Sequence, residues 1–325
     1  MSKGPYTVGI DLGGTKMFTV VFDGANAEIG TARMPTQGFA GPESGLKRIE
    51  ESIREALKDA GIKTFDVSAV GIGCPGVVDF ETGILRHAPN LGWKEVSVGK
   101  FLAGIFKCPT AVLNDVDAGT FGEYRSGAGK GARSLLGVFP GTGVGGGFVY
   151  EGKILRGRRA SCMEIGNIRL IGSTLEGAVD EPVTLEALAS RLSIAATCAM
   201  EAYRGNAPYI MEKAGTDLQR IKSGIVKKAI DSGDASVESI VKRSIEYLGL
   251  GIAAAVDLLG PDRIVIGGGL VEKMPDLYRK GLRKSIQRNA SPALVEEIEI
   301  SIAELGDYAV ARGAAVYATE QGQTF

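Results

Sequence analysis

Two short glycine-threonine loops carry the first sign of chemistry. Asp11-Leu12-Gly13-Gly14-Thr15-Lys16 falls at the join of two apolar runs, Thr7 to Leu12 and Met17 to Phe22. Gly141-Thr142-Gly143 separates Ser134 to Phe139 from Phe148 to Tyr150. Such a loop exposes backbone N–H groups and a hydroxyl, and its glycines let a ligand come close to the main chain, so an anion is a natural guest. A third run, Gly267-Gly268-Gly269, follows the apolar segment Arg263 to Ile266. Asn114-Asp115 closes another, Ala111 to Leu113. A carboxylate at a strand end serves as a general base or as the cap of the helix that follows, and residue type alone weighs the two equally. His87 is the one histidine in the chain. A multi-histidine metal site cannot be built from it, and proton transfer near neutral pH falls mostly to carboxylates, Lys, Cys or Tyr.

Gly141-Thr-Gly143-Val-Gly-Gly146 and Gly71-Ile-Gly73-Cys-Pro-Gly76 both satisfy G-x-G-x-x-G. A dinucleotide fold needs a helix opening at the third glycine, because the pyrophosphate sits on that helix terminus. Strand-like residues follow Gly146, Val-Val-Asp-Phe follows Gly76, and Pro75 interrupts the second loop, so neither has that context. No G-x-x-x-x-G-K-[ST] loop is present, which leaves hairpin loops to hold any phosphate.

The elements that must position these residues follow from periodicity. Val8 to Leu12 and Met17 to Phe22 around a Gly-Gly turn read as a hairpin. Leu46, Ile49, Ile53 and Leu57 share one face of a helix over about 43–60, with Gly61 as its stop. Val67 to Ile72 is a strand running into Gly73-Cys74-Pro75-Gly76. Thr184 is placed to cap a helix reaching about Ala202. Val237, Ile240, Val241, Ile245, Leu248, Ile252, Val256 and Leu259 mark a long buried helix ended by Gly260-Pro261, and Asp307 to Thr319 forms a last helix rich in alanine. The strand–loop–strand unit at residues 8–22 echoes that at 135–150, which suggests two related half-domains.

Composition narrows the partners. With 37 Lys plus Arg against 38 Asp plus Glu, the net charge is −1, without the basic excess of a nucleic-acid binder. No stretch of about 20 apolar residues is present to span a membrane, and no signal peptide is visible, so the cytoplasm is the expected compartment. Cys74, Cys108, Cys162 and Cys198 form no CxxC pair.

Taken together, the motifs resemble those of the ROK sugar kinases, which have the actin-like ATPase fold. Val8-Gly-Ile-Asp-Leu-Gly-Gly-Thr-Lys16 is similar to the first phosphate motif of that family. Gly73-Cys-Pro-Gly-Val-Val-Asp79 resembles its G-x-P-G-x-V-D loop and Ala88-Pro-Asn-Leu-Gly-Trp93 its A-P-N-L-x-W segment. Leu113-Asn-Asp115 resembles the catalytic Asn-Asp pair, Gly141-Thr-Gly143 the second phosphate motif and Ile266-Gly-Gly-Gly269 the adenosine motif. The resemblance covers about residues 7–318. The family usually carries G-E-I-G-H and then C-x-C-G-x-x-G-C as a zinc module. Here Met163-Glu-Ile-Gly-Asn167 puts Asn in place of the His, and Leu170 to Val183 contains no Cys, so no zinc is expected. Thr184-Leu-Glu186-Ala-Leu-Ala-Ser190 keeps the likeness to C-L-E-x-x-A-S.

The resemblance implies an α/β fold of two actin-like domains with the active site in the cleft between them. The small domain covers 1–116, the large one 117–305, and a C-terminal helix at 306–321 packs back on the small one. It implies ATP-dependent phosphorylation of a hexose, glucose first; a fructokinase, an N-acetylhexosamine kinase and polyphosphate as donor are the alternatives. Asp115 is the expected base. Asp11 would organise Mg²⁺, through water rather than directly. Gly13, Gly14, Thr15, Lys16, Gly141, Thr142, Gly143, Gly267, Gly268 and Gly269 would meet ATP, and Gly76, Asn90, Asn114, Glu164, Asn167 and Glu186 the sugar. Trp93 fits packing and sugar stacking equally, and His87 has no catalytic part. The sugar-responsive repressors of the same family carry an N-terminal helix-turn-helix domain, for which the motif starting at Val8 leaves no room. The expected partners are therefore a small sugar and ATP, with no nucleic acid and no membrane; a homodimer is open.

Overall fold

The structure is a computed structural model that describes residues 4–158, 160–170 and 183–325. The first strands are β1 (Tyr6–Leu12), β2 (Lys16–Phe22) and β3 (Glu28–Pro35), a meander of antiparallel neighbours. Helix α1 (Pro42–Asp59) leads to β4 (Val67–Cys74), parallel to β1. A small antiparallel sheet follows, β5 (Val77–Asp79), β6 (Ile84–Ala88) and β7 (Trp93–Val96). Then α2 (Val98–Phe106) precedes β8 (Thr110–Asn114), parallel to β4, and α3 (Asp115–Ser126). The main sheet reads β3-β2-β1-β4-β8.

Strand alternation decides what each face of that sheet does. Val8, Ile10 and Leu12 pack with Ile49 and Ile53 of α1 and Leu102 and Phe106 of α2 in one fully buried core. Gly9 and Asp11 face the other way. There the C-terminal helix lies so close that a β-carbon on Gly9 would stand 1.8 Å from the Ala311 carbonyl oxygen, and one on Gly71 1.9 Å from that of Ala314. Only glycine permits this approach.

The chain continues through β9 (Ser134–Pro140), β10 (Val144–Tyr150), β11 (Lys153–Ile154), β12 (Arg169–Leu170) and β13 (Val183–Thr184). Helices α4 (Leu185–Ala189), α5 (Arg191–Tyr203), α6 (Pro208–Ala214), α7 (Ser223–Asp231) and α8 (Ala235–Leu259) come next. They are followed by β14 (Arg263–Ile266), α9 (Gly269–Lys273), α10 (Pro275–Asn289), α11 (Pro292–Val295), β15 (Glu299–Ile302) and α12 (Ala309–Gln321). β9, β14 and β15 run parallel side by side. The long α8 is the helix expected from periodicity. Asp234 caps it, accepting from the Val237 N–H at 3.3 Å, and Gly260 ends it at φ +53°.

The chain divides into two compact units, Met1–Gly131 with Gly147–Cys162 and Glu304–Phe325, and Ala132–Gly146 with Met163–Ala303. The first keeps α3 whole by running past residue 116, takes in a segment after Gly146, and receives α12. One expected element differs. The helix beginning at Thr184 stops at Ser190, whose ψ of 156° is extended. Thr184 caps α4 through the Ala187 N–H at 3.3 Å, and Ser190 caps α5 through that of Ser193 at 3.1 Å. Two good caps six residues apart make two helices where apolar spacing suggested one. Among the described residues no helix is long and apolar enough to cross a membrane.

Candidate active site

In the first unit the pair Asn114-Asp115 stands where β8 gives way to α3. The capping falls to Asn114: its Oδ1 accepts from the N–H groups of Val116 at 2.9 Å and Asp117 at 3.2 Å, and its Nδ2 donates to the Gly76 carbonyl at 3.1 Å. Asp115 is the first helical residue, half-buried, with Oδ1 accepting the Val116 N–H at 2.9 Å. Its second oxygen is left for other work, so a capping role does not account for it. Cys74 at the end of β4 lies in register with Asn114, and Gly73 with Asp11 of β1, which gathers three strand ends.

Burial and a like charge set the acidity of this corner. Desolvation, then the neighbouring Asp11 carboxylate, push Asp115 up to about 7, against the pull of its backbone hydrogen bonds. Asp11 is pushed up to about 6 by burial and then by Asp307, while Lys16 and Arg33 work the other way. Burial and the same two carboxylates raise the fully buried Cys74 thiol far beyond neutrality, so it is no nucleophile. Two carboxylates, one of which raises the other's affinity for protons, are oxygen donors of the kind a hard cation takes. Among the described residues no group of three or more His, Cys, Asp or Glu is placed to hold a metal. The chemistry of Asp11 and Asp115 is compatible with Mg²⁺, which takes one or two carboxylates and completes its shell from water and phosphate.

The Gly13-Gly14-Thr15-Lys16 turn is tied down from two sides. Gly13 N–H donates to the Lys16 carbonyl at 3.0 Å. The fully buried Thr36, which sequence reasoning missed, donates its hydroxyl to the Gly13 carbonyl at 2.7 Å and its N–H to that of Thr15 at 2.9 Å. Thr15 and Lys16 remain exposed. Asn90 is a neighbour: a β-carbon on Gly14 would stand 3.2 Å from its Cβ. Arg33 is also missed by sequence. It lies across β2 from Asp11, its guanidinium 3.7 Å over the Phe18 ring and 3.0 Å from Asp307. Trp93 is a packing residue. It is fully buried, and its Nε1 donates to the Gly38 carbonyl at 2.9 Å. His87 is exposed on β6.

The second unit gathers the other candidates. Gly141 N–H donates to the Gly143 carbonyl at 2.8 Å, closing the loop, and Arg191 braces it, donating its N–H to the Gly141 carbonyl at 2.8 Å and Nη2 to the Thr142 hydroxyl at 3.2 Å. The break at Ser190 is what frees the Arg191 N–H for that bond. Glu186 accepts the Val144 N–H at 3.0 Å through Oε2, so one of its oxygens holds the loop and the other is spare. The exposed Glu164 and Asn167 bracket a single 3₁₀ turn, with Asn167 Nδ2 3.5 Å from Glu164 Oε2, and Leu185 N–H ties the end of that turn to α4 through the Ile168 carbonyl at 2.8 Å. Gly267 N–H donates to the Val138 carbonyl at 3.1 Å, and Gly268, at φ +98°, lies against Pro140. The third glycine run thus abuts the strand that feeds Gly141. The Cys-free stretch used to exclude zinc falls mostly on residues 171–182, outside the described residues.

Comparison with known proteins identifies the family of the chain. A sequence model of the ROK family matches residues 7–321. A glucokinase of Halalkalibacterium halodurans is 32% identical over 92% of this chain and 91% of its own length. The structure of a ROK family glucokinase from Streptomyces griseus in complex with glucose and AMPPNP superposes with a TM-score of 0.80 at 27% identity, covering 97% of this chain and 99% of that one. A ROK family transcriptional regulator, a homologue of the E. coli MLC protein, shares the fold at a TM-score of 0.82 and 20% identity, covering 97% of this chain and 78% of the regulator.

Proposed function

Because the chain belongs to the ROK family, we propose that it phosphorylates a hexose with ATP, glucose being the first substrate. It is a sugar kinase of the glucokinase type. The observation that carries the chemistry is Asp115, a half-buried carboxylate at a helix start with one oxygen uncommitted and a proton affinity raised close to neutral.

Phosphoryl transfer leaves little covalent work to the protein, so positioning and charge dominate. The sugar hydroxyl oxygen bonds to the γ-phosphorus, the bond to the bridging oxygen of ADP breaks, and the hydroxyl proton passes to Asp115. A carboxylate raised to about 7 is a stronger base than an ordinary one and still ionised in part at neutral pH. Asp11 would hold Mg²⁺, whose charge would offset that of the phosphates. Backbone N–H groups of Gly14 and Gly143, with Thr15, Lys16 and Thr142, donate to phosphate oxygens, while Gly13 and Gly141, whose own N–H groups close their turns, let the phosphates approach the main chain. Gly267, Gly268 and Gly269 lie against the nucleoside. Gly76, Asn90, Asn114, Glu164, Asn167 and Glu186 meet the sugar, Asn114 with its remaining Nδ2 hydrogen and Glu186 with its spare oxygen. No zinc is required in this scheme, and the cytoplasm is its compartment.

ADP release measured over a panel of hexoses and N-acetylhexosamines, with and without Mg²⁺, tests the reading. Mg²⁺-dependent turnover with glucose is expected. Absence of turnover above the water background for every sugar defeats it in favour of a non-catalytic sugar-binding regulator.

A further inference from the structure

The loop that buried Thr36 ties to the phosphate turn ends in an exposed aromatic ring. Phe39 is 80% exposed, among the most exposed large apolar side chains of the described residues. Single exposed apolar residues are ordinary, so exposure alone says nothing. What sets Phe39 apart is how its loop is built. The chain enters at Gln37, a non-glycine residue at φ +50°, makes one 3₁₀ turn over Gly38–Ala40, and leaves at Gly41 with φ +99°. Two left-handed corners around one turn hold the ring outward at a backbone cost, and such cost is tolerated where the surroundings fix it.

The surroundings here are parts of the site. Thr36 binds the Gly13 and Thr15 carbonyls. The Gly38 carbonyl is held by Trp93 Nε1, and Gly38 lies so close to the Asn90 segment that a β-carbon on it would stand 3.1 Å from Leu91 Cα. A β-carbon on Gly92 would be 3.3 Å from the Phe39 ring. Phe39 therefore lies against Gly92, which ends the 3₁₀ turn Pro89–Leu91 that carries Asn90, and Asn90 in turn adjoins Gly14. An aromatic ring beside polar groups meant for hydroxyls is how a protein meets a pyranose, whose ring presents a C–H face between its hydroxyls.

We propose that Phe39 is a specificity-determining residue that covers the apolar face of the acceptor sugar next to Asn90 and keeps water from the transferable phosphoryl group. The inference rests on the sugar-kinase reading above. It assigns to Phe39 the stacking role that Trp93, buried in the core, cannot take.

The test compares Phe39→Ala and Phe39→Trp with the wild-type enzyme for glucose KM, ATP KM, kcat, ATP hydrolysis without sugar, and thermal midpoint. In Phe39→Ala the glucose KM rises about tenfold, the size of one lost aromatic contact. ATP KM stays within about twofold on the same scale, hydrolysis gains on transfer, and the midpoint holds because the ring is already in solvent. Phe39→Trp restores the glucose KM. An unchanged glucose KM in Phe39→Ala overturns the proposal, as does a parallel rise in both KM values or a fall in midpoint that accounts for the loss. A wild-type enzyme inactive on every hexose defeats the kinase reading itself, whereas an active one indifferent to Phe39→Ala defeats only this inference.

Discussion

Asp115 carries the sharpest expectations at the scale of single residues. Asp115→Asn keeps shape and hydrogen bonding but removes the proton acceptor, so kcat should fall about 10²–10⁴-fold, the usual contribution of a positioned base. Sugar affinity, followed by calorimetry, should change far less. A variant retaining more than about a tenth of wild-type kcat, short of that range, excludes Asp115 as the base. The pH profile has a definite sign. The base works ionised, and its proton affinity is raised to about 7, so kcat/KM of the free enzyme should climb through neutrality and flatten above it. Asp11, raised to about 6, steepens the acid limb. A profile flat from pH 5 to 8 would contradict the burial and charge argument. Much of this corner is legible in sequence, because Asp11 and Asn114-Asp115 sit in short local motifs at strand ends. Arg33, Thr36 and Asp307 are not, since β2–β3 register and the return of α12 bring them in, and no local pattern marks them.

At the scale of elements, Glu123 decides how α3 and the C-terminal segment hold together. Its fully buried carboxylate accepts the Ala128 N–H at 2.9 Å, the Glu304 N–H at 3.0 Å and the Leu305 N–H at 2.8 Å. These bonds join the end of α3 to the chain just before α12, eight residues after Asp115 along the helix. Glu123→Gln sets an amide donor against backbone donors in a fully buried site. A loss of about 2 kcal/mol or more is expected, because buried donors left unmatched cost about 1–3 kcal/mol each. Urea unfolding measures it, and a loss below about 0.5 kcal/mol would show the bonds to be dispensable on that scale. Sequence shows the apolar stripe of α8 and the alanines of α12 plainly. It hides Glu123, which looks like a surface residue of an amphipathic helix, and it hides the division at Ser190. Thr184 and Ser190 are equally good caps, and only the bond from the Arg191 N–H to Gly141 shows why the second is used.

For the molecule as a whole, the expected independence from zinc is the property to test. A structural zinc site needs four ligands, commonly Cys and His, and without it a metal-built segment does not fold. This chain has one His, on β6 in the first unit, and four Cys, of which Cys74, Cys108 and Cys198 are buried as free thiols. Asn167 occupies the place of the missing His, ending the 3₁₀ turn with its amide turned to Glu164, and Cys162 is the one exposed cysteine nearby. The hydrogen bond from the Leu185 N–H to the Ile168 carbonyl ties this turn to α4. The expected outcome is that protein purified without chelator contains well under one zinc per chain by elemental analysis. Its thermal midpoint and glucose turnover should be the same before and after treatment with a zinc chelator, provided Mg²⁺ is restored for the assay. One tightly held zinc per chain, lost together with the midpoint on chelation, would mean that ligands outside this arrangement build a metal centre and that hydrogen bonds alone do not hold the Glu164–Asn167 turn.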